Sequence, residues 1–398
     1  MPKDQPAFRS VLDVAQTLTP SYPVYCLRPH ILERNARRFM TTFPGTVLYA
    51  VKCNPHPLVL HALYDAGIRH FDTASLPEIA LVNETLPGAH AYFMHPVKGR
   101  AVIRSAYTVY GVKHYVVDHP DELKKVLEET DREGLVIVVR IATPPSKGTL
   151  YHLASKFGAT VEVAADIAKE AAKQRCNVGF CFHVGSQCLD TEAYRTALEL
   201  VGETIERSGI EPVLVDVGGG FPAHYADTVP PPPPIEAYMA EIRAGMKAIK
   251  LPPDVELWCE PGRALVASAC SLLTQVQLRK DDRLYLNDGI YGSLSETIQA
   301  KIELPARLVR LDGPVANATQ GYLLNGPTCD SLDVLPTRYE LPTDTREGDW
   351  VEIDQIGAYS NANATHFNGF HPETYVTLAD EPPATFPRTG RTIARRPA

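Results

Sequence analysis

Long apolar runs are missing from this chain of 398 residues. No uninterrupted stretch approaches the roughly 18 residues of a membrane span, and the N-terminal MPKDQPAFRS has no apolar signal core. An excess of positive charge is missing too. The 39 Lys and Arg face 47 Asp and Glu, a formal net charge of -8. That balance gives no electrostatic footprint for nucleic acid or an anionic membrane, so a small-molecule partner is expected. Cysteine pairs are absent: the eight cysteines at 26, 53, 176, 181, 188, 259, 270 and 329 form neither a C-x-x-C pair nor a zinc-ligand spacing. They read as reduced thiols, no metal site is expected, and the expected location is the cytoplasm.

What is present is ordinary globular material, 44% hydrophobic and 22% charged. The length suits a barrel of about 250 residues plus a second domain. From about residue 46 to 262, short apolar strands alternate with amphipathic stretches. The expected strands are 46–52, 70–75, 91–97, 114–118, 135–142, 178–185, 212–220 and 255–262. The stretches LPEIALVNETL, HPDELKKVLEET, VEVAADIAKEAAKQR, TEAYRTALELVGETIERSG and PIEAYMAEIRAGMKAI are apolar at spacings of three and four, and are expected helices. Repeated β-α units call for parallel strands with crossover helices, and eight strands is the number of a (β/α)8 barrel. Pro230 to Pro234 form a proline run, read as a stiff loop into the next helix. After residue 263 the pattern changes to strands and turns: LVASACSLLTQVQL, DRLYLND, PARLVRLDG, DWVEIDQIG and ETYVTLA, a β domain.

The unusual polar residues fall at the C-terminal ends of the expected strands. Lys52 ends the first, Asp72 the second, Arg140 the fifth, His183 the sixth, Gly218 to Gly220 the seventh and Glu260 the eighth. A lone strand-end lysine is ordinarily a solvated charge, but in a β/α barrel this end is the active face, and six such positions converge there. Glycines free backbone N–H groups to approach phosphate oxygens, and the Arg263 fork in EPGR can grip them bidentately. A rim offering a phosphate site, an amine and a carboxylate suits a phosphorylated cofactor with a carbonyl and a basic ring nitrogen, which describes pyridoxal phosphate.

The ordered motifs YAVKCN (49–54), FDTAS (71–75), RIAT with SKFGA (140–143, 155–159), FHVGSQ (182–187), DVGGGFP (216–222), EPGR (260–263), NDGIYGS (287–293), GPTCDSLD (326–333) and GAYSNANATHFNGF (357–370) resemble the fold-type III pyridoxal-phosphate decarboxylases of basic amino acids, the ornithine decarboxylase group above all. The resemblance covers almost the whole chain. It implies an α/β fold: an eight-stranded (β/α)8 TIM barrel over 27–265 and a C-terminal β-sandwich or β-barrel domain over 266–385. The N-terminal residues 1–26 belong to that second domain, and 386–398 form a flexible tail. It also implies a homodimer whose active sites are shared between subunits.

For the site, the resemblance implies that Lys52 carries the cofactor covalently, that Glu260 bonds the pyridine nitrogen, and that His183 stacks on the ring. Ser186, Gly219, Gly220, Gly262, Arg263 and Tyr359 would hold the phosphate, and Asp72 and Arg140 the Lys52 end. Cys329 and Asp330 would reach into the partner's site, Cys329 as proton donor to the carbon that has lost carbon dioxide and Asp330 as partner of the substrate's distal ammonium. Lys156 and Asp333 match positions that pair across the dimer, and Tyr291 belongs to the substrate set. The implied reaction is L-ornithine to putrescine, with L-lysine to cadaverine left open.

One departure bears on substrate. The group places an acid about eight residues beyond the tyrosine of NDGxYGS, where this chain has Gln299 and Ala300. Glu296 either supplies that charge or is a surface residue. Diaminopimelate decarboxylase shares the barrel and EPGR but uses another cysteine segment. An arginine decarboxylase of this fold is expected to be much longer. A racemase needs a second base opposite Lys52, and a non-catalytic homologue should have lost cofactor residues that are all in place here.

Overall fold

The computed structural model of the protein describes residues 7–145, 149, 156–225, 231–249 and 251–381. The expected tail, Pro230 and Ser155 lie outside them. The strands, in chain order, are β1 (Val24–Leu27), β2 (Thr46–Ala50), β3 (His70–Thr73), β4 (His90–Phe93), β5 (His114–Val117), β6 (Val136–Arg140), β7 (Asn177–Cys181), β8 (Leu214–Asp216), β9 (Glu256–Cys259), β10 (Cys270–Lys280), β11 (Arg283–Leu286), β12 (Ala306–Val309), β13 (Thr319–Asn325), β14 (Val334–Pro342), β15 (Trp350–Ile353) and β16 (Thr374–Thr377). They belong to two compact units. One comprises Asn35–Pro222 and Pro232–Ala264, the other Met1–Arg34, Ala223–Pro231 and Leu265–Ala398.

In the first unit β2 to β9 close into a parallel barrel in chain order. All eight expected strands are there, each stopping one to four residues before its apolar run does. The extra residues are the rim. Leu48, Tyr92, Met94, Val116, Val136, Val138, Cys181, Leu214 and Trp258 form one buried cluster, filled by bulky side chains as barrel interiors are. The five expected helices span Leu76–Thr85, Pro120–Glu129, Val161–Lys173, Glu192–Ser208 and Ile235–Ile249. Pro29–Thr42, Pro57–Asp65 and Arg100–Thr108 are helical as well.

The second unit is an eight-stranded sheet in the order β12-β15-β10-β11-β13-β14, with β1 joined antiparallel to β10 and parallel to β16. An N-terminal strand is thus built into the sheet. Arg28, fully buried just beyond β1, donates to Asp380 (3.0 Å), Ser271 (3.1 Å) and Glu352 (3.4 Å). The expected run LVASACSLLTQVQL is strand only from Cys270; Arg263–Val266 and Ala267–Ala269 are short helical turns. Among the described residues no helix is long and apolar enough to cross a membrane.

Candidate active site

The chain leaves β2 through a single 3-10 turn, Val51–Cys53, which carries Lys52 onto the barrel's C-terminal rim. Its side chain is 41% exposed while Asp72, its ion-pair partner, is 3% exposed. Register explains the pair, since Ala50 of β2 sits opposite Asp72 of β3. The turn after Asp72 is held by the N-cap of the next helix: Glu78 N–H donates to Ser75 Oγ (3.4 Å), and Ala74 N–H donates to Glu78 Oε2 (2.6 Å). The rim therefore presents an accessible amine on a fixed carboxylate.

Three strands along, Arg140 ends β6 with its guanidinium 5.3 Å from the Phe157 ring, and His95 meets that ring edge-on at 5.3 Å. Phe157 is held there because Gly158 N–H donates to Asp118 Oδ2 (2.8 Å), and Ala159 bridges to Ile141. Gly158 has φ +101°, and a Cβ there would lie 2.6 Å from the Ala142 Cα. Asp118, Phe157 and His95 were not singled out from the sequence. The signal for Asp118 was there, because it closes the expected strand 114–118 and directly follows β5.

His183 follows β7. Its Nδ1 accepts from Gly185 N–H at 3.0 Å, which leaves the proton on Nε2. Burial first, then Arg140 and Lys52, hold the imidazole well below its usual pKa, so the ring is neutral. Beside it run the glycines. Tyr194 OH donates to Gly219 O at 2.9 Å, fixing that peptide plane so that the Gly220 N–H points the opposite way. A Cβ at Gly219 would lie 2.7 Å from Glu260 O and 3.0 Å from His183 Nε2. Arg263, buried, donates to Ser186 Oγ at 3.4 Å. Gly262 has a packing reason, since a Cβ there would lie 2.9 Å from Cys53 Cβ.

Glu260 N–H donates to Gly218 O (2.9 Å), and Gly218 N–H donates to Asp216 Oδ1 (2.8 Å). Glu260 and Asp216 are thereby placed side by side. Burial, then Asp216 and Asp72, hold the Glu260 carboxyl well above the usual range against the opposing pull of Lys52 and Arg140. Burial pushes Asp216 up as well.

The remaining residues lie in the second unit. Cys329 is exposed and free, its N–H bonded to Asn368 Oδ1 (3.1 Å). Tyr291 OH donates to Asp330 in a short hydrogen bond, which holds that carboxyl below its usual range. Asp333 is buried; its carboxylate accepts from Ile290 N–H (2.9 Å), Thr328 N–H (3.1 Å) and Thr328 Oγ1 (2.7 Å), so it ties the NDGIYGS and GPTCDSLD segments together. Glu296 is 4% exposed, which corrects the surface alternative. It begins the short helix Glu296–Gln299, and its carboxyl is folded into the unit. Tyr359 sits in the left-handed region at φ +57°. Cys329, Asp330, Asn287, Tyr285, Phe370 and His371 line an open cleft of about 810 Å³.

Comparison with known proteins gives this geometry a context. The model for "Pyridoxal-dependent decarboxylase, pyridoxal binding domain" matches residues 30–267. A lysine/ornithine decarboxylase of Selenomonas ruminantium is 34% identical over 351 residues, 84% of each chain. The structure of a lysine/ornithine decarboxylase of Vibrio vulnificus complexed with cadaverine matches with a TM-score of 0.80 at 29% identity, covering 94% of this chain and 100% of that one. An arginine decarboxylase of Paramecium bursaria Chlorella virus bound to agmatine matches with a TM-score of 0.81 at 29% identity, covering 92% and 98%. That last match corrects the expectation that an arginine decarboxylase of this fold must be much longer.

Proposed function

The chain belongs to the pyridoxal-dependent decarboxylases, and from that premise we propose that it converts L-ornithine to putrescine and carbon dioxide, with L-lysine to cadaverine as a second reaction of the same site. The observation that carries this reading is the Lys52–Asp72 ion pair on the rim, beside the Glu260 carboxyl and a glycine-arginine cradle. The residues fit pyridoxal phosphate. A Cβ would obstruct the cradle at Gly219, Arg263 and Ser186 offer donors for a phosphate, and the Glu260 carboxyl, held well above its usual range, offers an acid to a basic ring nitrogen.

Bound there, the cofactor supplies an electron-withdrawing ring that takes up the electrons left on Cα when the carboxylate departs. Lys52 Nζ anchors its aldehyde, and Asp72 keeps that amine in place. Glu260 holds the ring-nitrogen proton, His183 stacks as a neutral ring, and Arg263, Ser186 and the Gly219 and Gly220 N–H groups hold the phosphate. Tyr359 is assigned to the phosphate by its motif alone. Arg140, braced by Phe157, balances charge near Lys52.

We assign the reaction to a homodimer with shared sites, in which Cys329 from one subunit gives the proton to Cα in the other, and Asp330, steadied by Tyr291, takes the substrate's distal ammonium. Support comes from the apolar surface of these segments, where Leu332 is 58%, Phe370 44% and Phe367 41% exposed; a second copy would cover them. Lys156 belongs to that interface by motif; Asp333, matched to the same interface, is buried behind it, where it braces the two segments, and buried Glu296 belongs to the substrate end. The expected location is the cytoplasm, where eight free thiols stay reduced.

The test is carbon dioxide release with product identification, using cofactor-loaded protein and L-ornithine, L-lysine, L-arginine and meso-diaminopimelate separately. Putrescine as the main product, lost in Lys52→Ala, is the expected result. Agmatine or lysine formed from diaminopimelate would replace the substrate, and no turnover of any substrate by loaded protein would overturn the function.

A further inference from the structure

Asp216 has been given no role so far, yet it is the most deeply buried acid of the rim, with no exposed surface. Its Oδ1 accepts from Gly218 N–H at 2.8 Å. Its Oδ2, also buried, meets no N–H or O–H donor among the described residues. Its close acidic neighbour is the Glu260 carboxyl, whose proton Asp216 helps to retain. Two ionised carboxylates only accept and would repel each other; a hydrogen on one of them supplies the donor that Asp216 Oδ2 lacks. The backbone leaves little freedom to separate them. Gly218 links the pair, giving its N–H to Asp216 and its carbonyl to Glu260 N–H. Gly218 has φ +65°, and a Cβ there would lie 2.1 Å from Phe182 O, so the turn is locked.

We propose that Asp216 is a positioning residue that forms a one-proton acid pair with Glu260: in the cofactor-free protein the two carboxyls share a single proton, and on loading, that proton passes to the cofactor's ring nitrogen. The O–H bond within the pair breaks and an N–H bond to the ring forms. The pair goes from one negative charge to two while the ring goes from neutral to cationic. No other reactant is needed.

The charged and titratable groups around the pair are Lys52 after β2, Asp72 on β3, Arg140 on β6, Cys181 on β7, His183 beyond it and Cys259 on β9. Lys52 and Arg140 favour ionised acids, Asp72 and burial oppose them. A second carboxylate raises the proton affinity of whatever base sits against Glu260, so the ring should keep its proton to higher pH than one acid alone would allow. Asp216 acts on the ring only through Glu260.

The inference rests on the reading that pyridoxal phosphate lies with its nitrogen at Glu260, and the experiment separates the two. Asp216→Asn keeps the acceptor for Gly218 N–H and offers Glu260 an N–H donor instead of a shared proton. The first measurement is infrared difference spectroscopy of the unmutated protein at neutral pH with and without pyridoxal phosphate. The carbonyl stretch of a protonated carboxyl should be present in the free protein and vanish on loading; its absence from the free protein overturns the proposal without any variant. The second uses pyridoxal phosphate with an isotopically labelled ring nitrogen, followed by NMR across pH. Asp216→Asn should lower the midpoint of ring deprotonation by about one pH unit or more, a tenfold loss of proton affinity. Glu260→Gln should lower it further. An unmoved midpoint in Asp216→Asn with a large shift in Glu260→Gln would make Asp216 merely structural. No shift in either would remove the ring nitrogen from this corner altogether.

Discussion

Gly219→Ala isolates the shape of the cradle from the stability of the fold. Gly218 and Gly220 have positive φ, where any side chain is strained, but Gly219 does not, so alanine fits its backbone. The obstacle is contact. The new methyl would lie 2.7 Å from Glu260 O and 3.0 Å from His183 Nε2, and Glu260 O belongs to a backbone already tied to the glycine turn. Relief requires a shift of several tenths of an ångström by the His183 ring or the Glu260 backbone, an overpacking strain of about 1–3 kcal/mol. Because both groups are assigned to the cofactor, the strain should weaken pyridoxal phosphate binding roughly 5- to 150-fold. The assay is equilibrium titration of the cofactor-free variant followed by absorbance, with urea unfolding of the same protein beside it. Affinity within twofold of the original would refute the assignment of the Gly219 peptide to the cofactor. A stability loss with no change in affinity would place the strain in the fold alone.

Arg28→Ala should destabilise the second unit by about 1–3 kcal/mol in urea unfolding, because Asp380 loses its cation and buried Glu352 keeps only Arg307 among the described residues; no measurable loss would contradict this. His114, packed on Tyr92 and Trp258 at 5.0 and 5.2 Å, is pushed down to about 4 by burial and by His70 and His90. Its folded value lies below the unfolded one, so its contribution is whole above pH ~6.5 and is lost as pH falls toward ~4, about 2 kcal/mol of it by pH ~5. His114→Phe should flatten that part of the stability-against-pH curve, and an unchanged curve would show that the ring is not the titrating group. Tyr291→Phe removes the donor that steadies Asp330; a lost charge-assisted bond of about 1.5–3 kcal/mol should lower kcat/KM for ornithine roughly 10- to 150-fold. Unchanged kcat/KM would detach Asp330 from the substrate.

The barrel was legible because its strands are short apolar runs and five of the eight lead into a residue type that such runs seldom carry: Lys52, Asp72, Arg140, His183, Glu260. What the runs conceal is where strand becomes rim, since Val51, Phe182, Val184 and Val217 are as apolar as the strands before them. Helix Arg100–Thr108 and helix Pro29–Thr42 were missed under their arginines, and Pro57–Asp65 because PLVLHALYD is apolar on nearly every side. Strands β13 and β14 contain Gly321, Asn325, Pro336 and Pro342, residues that ordinarily argue against a strand. The site's second layer was less legible still. Asp216 before three glycines reads as a turn former, and only the fold brings it against Glu260, which is 44 positions away. Asp118 reads as a helix-leading loop residue until Gly158 is seen docked on it. Glu296 had two readings, and burial decided between surface and interior.

Every role assigned to the rim turns on Lys52 carrying the cofactor. Borohydride reduction of the loaded protein, followed by mass spectrometry of its peptides, reads this directly. A single pyridoxyl-phosphate mass addition on Lys52, absent from Lys52→Ala, is the predicted result; an addition on another lysine, or none, would contradict it.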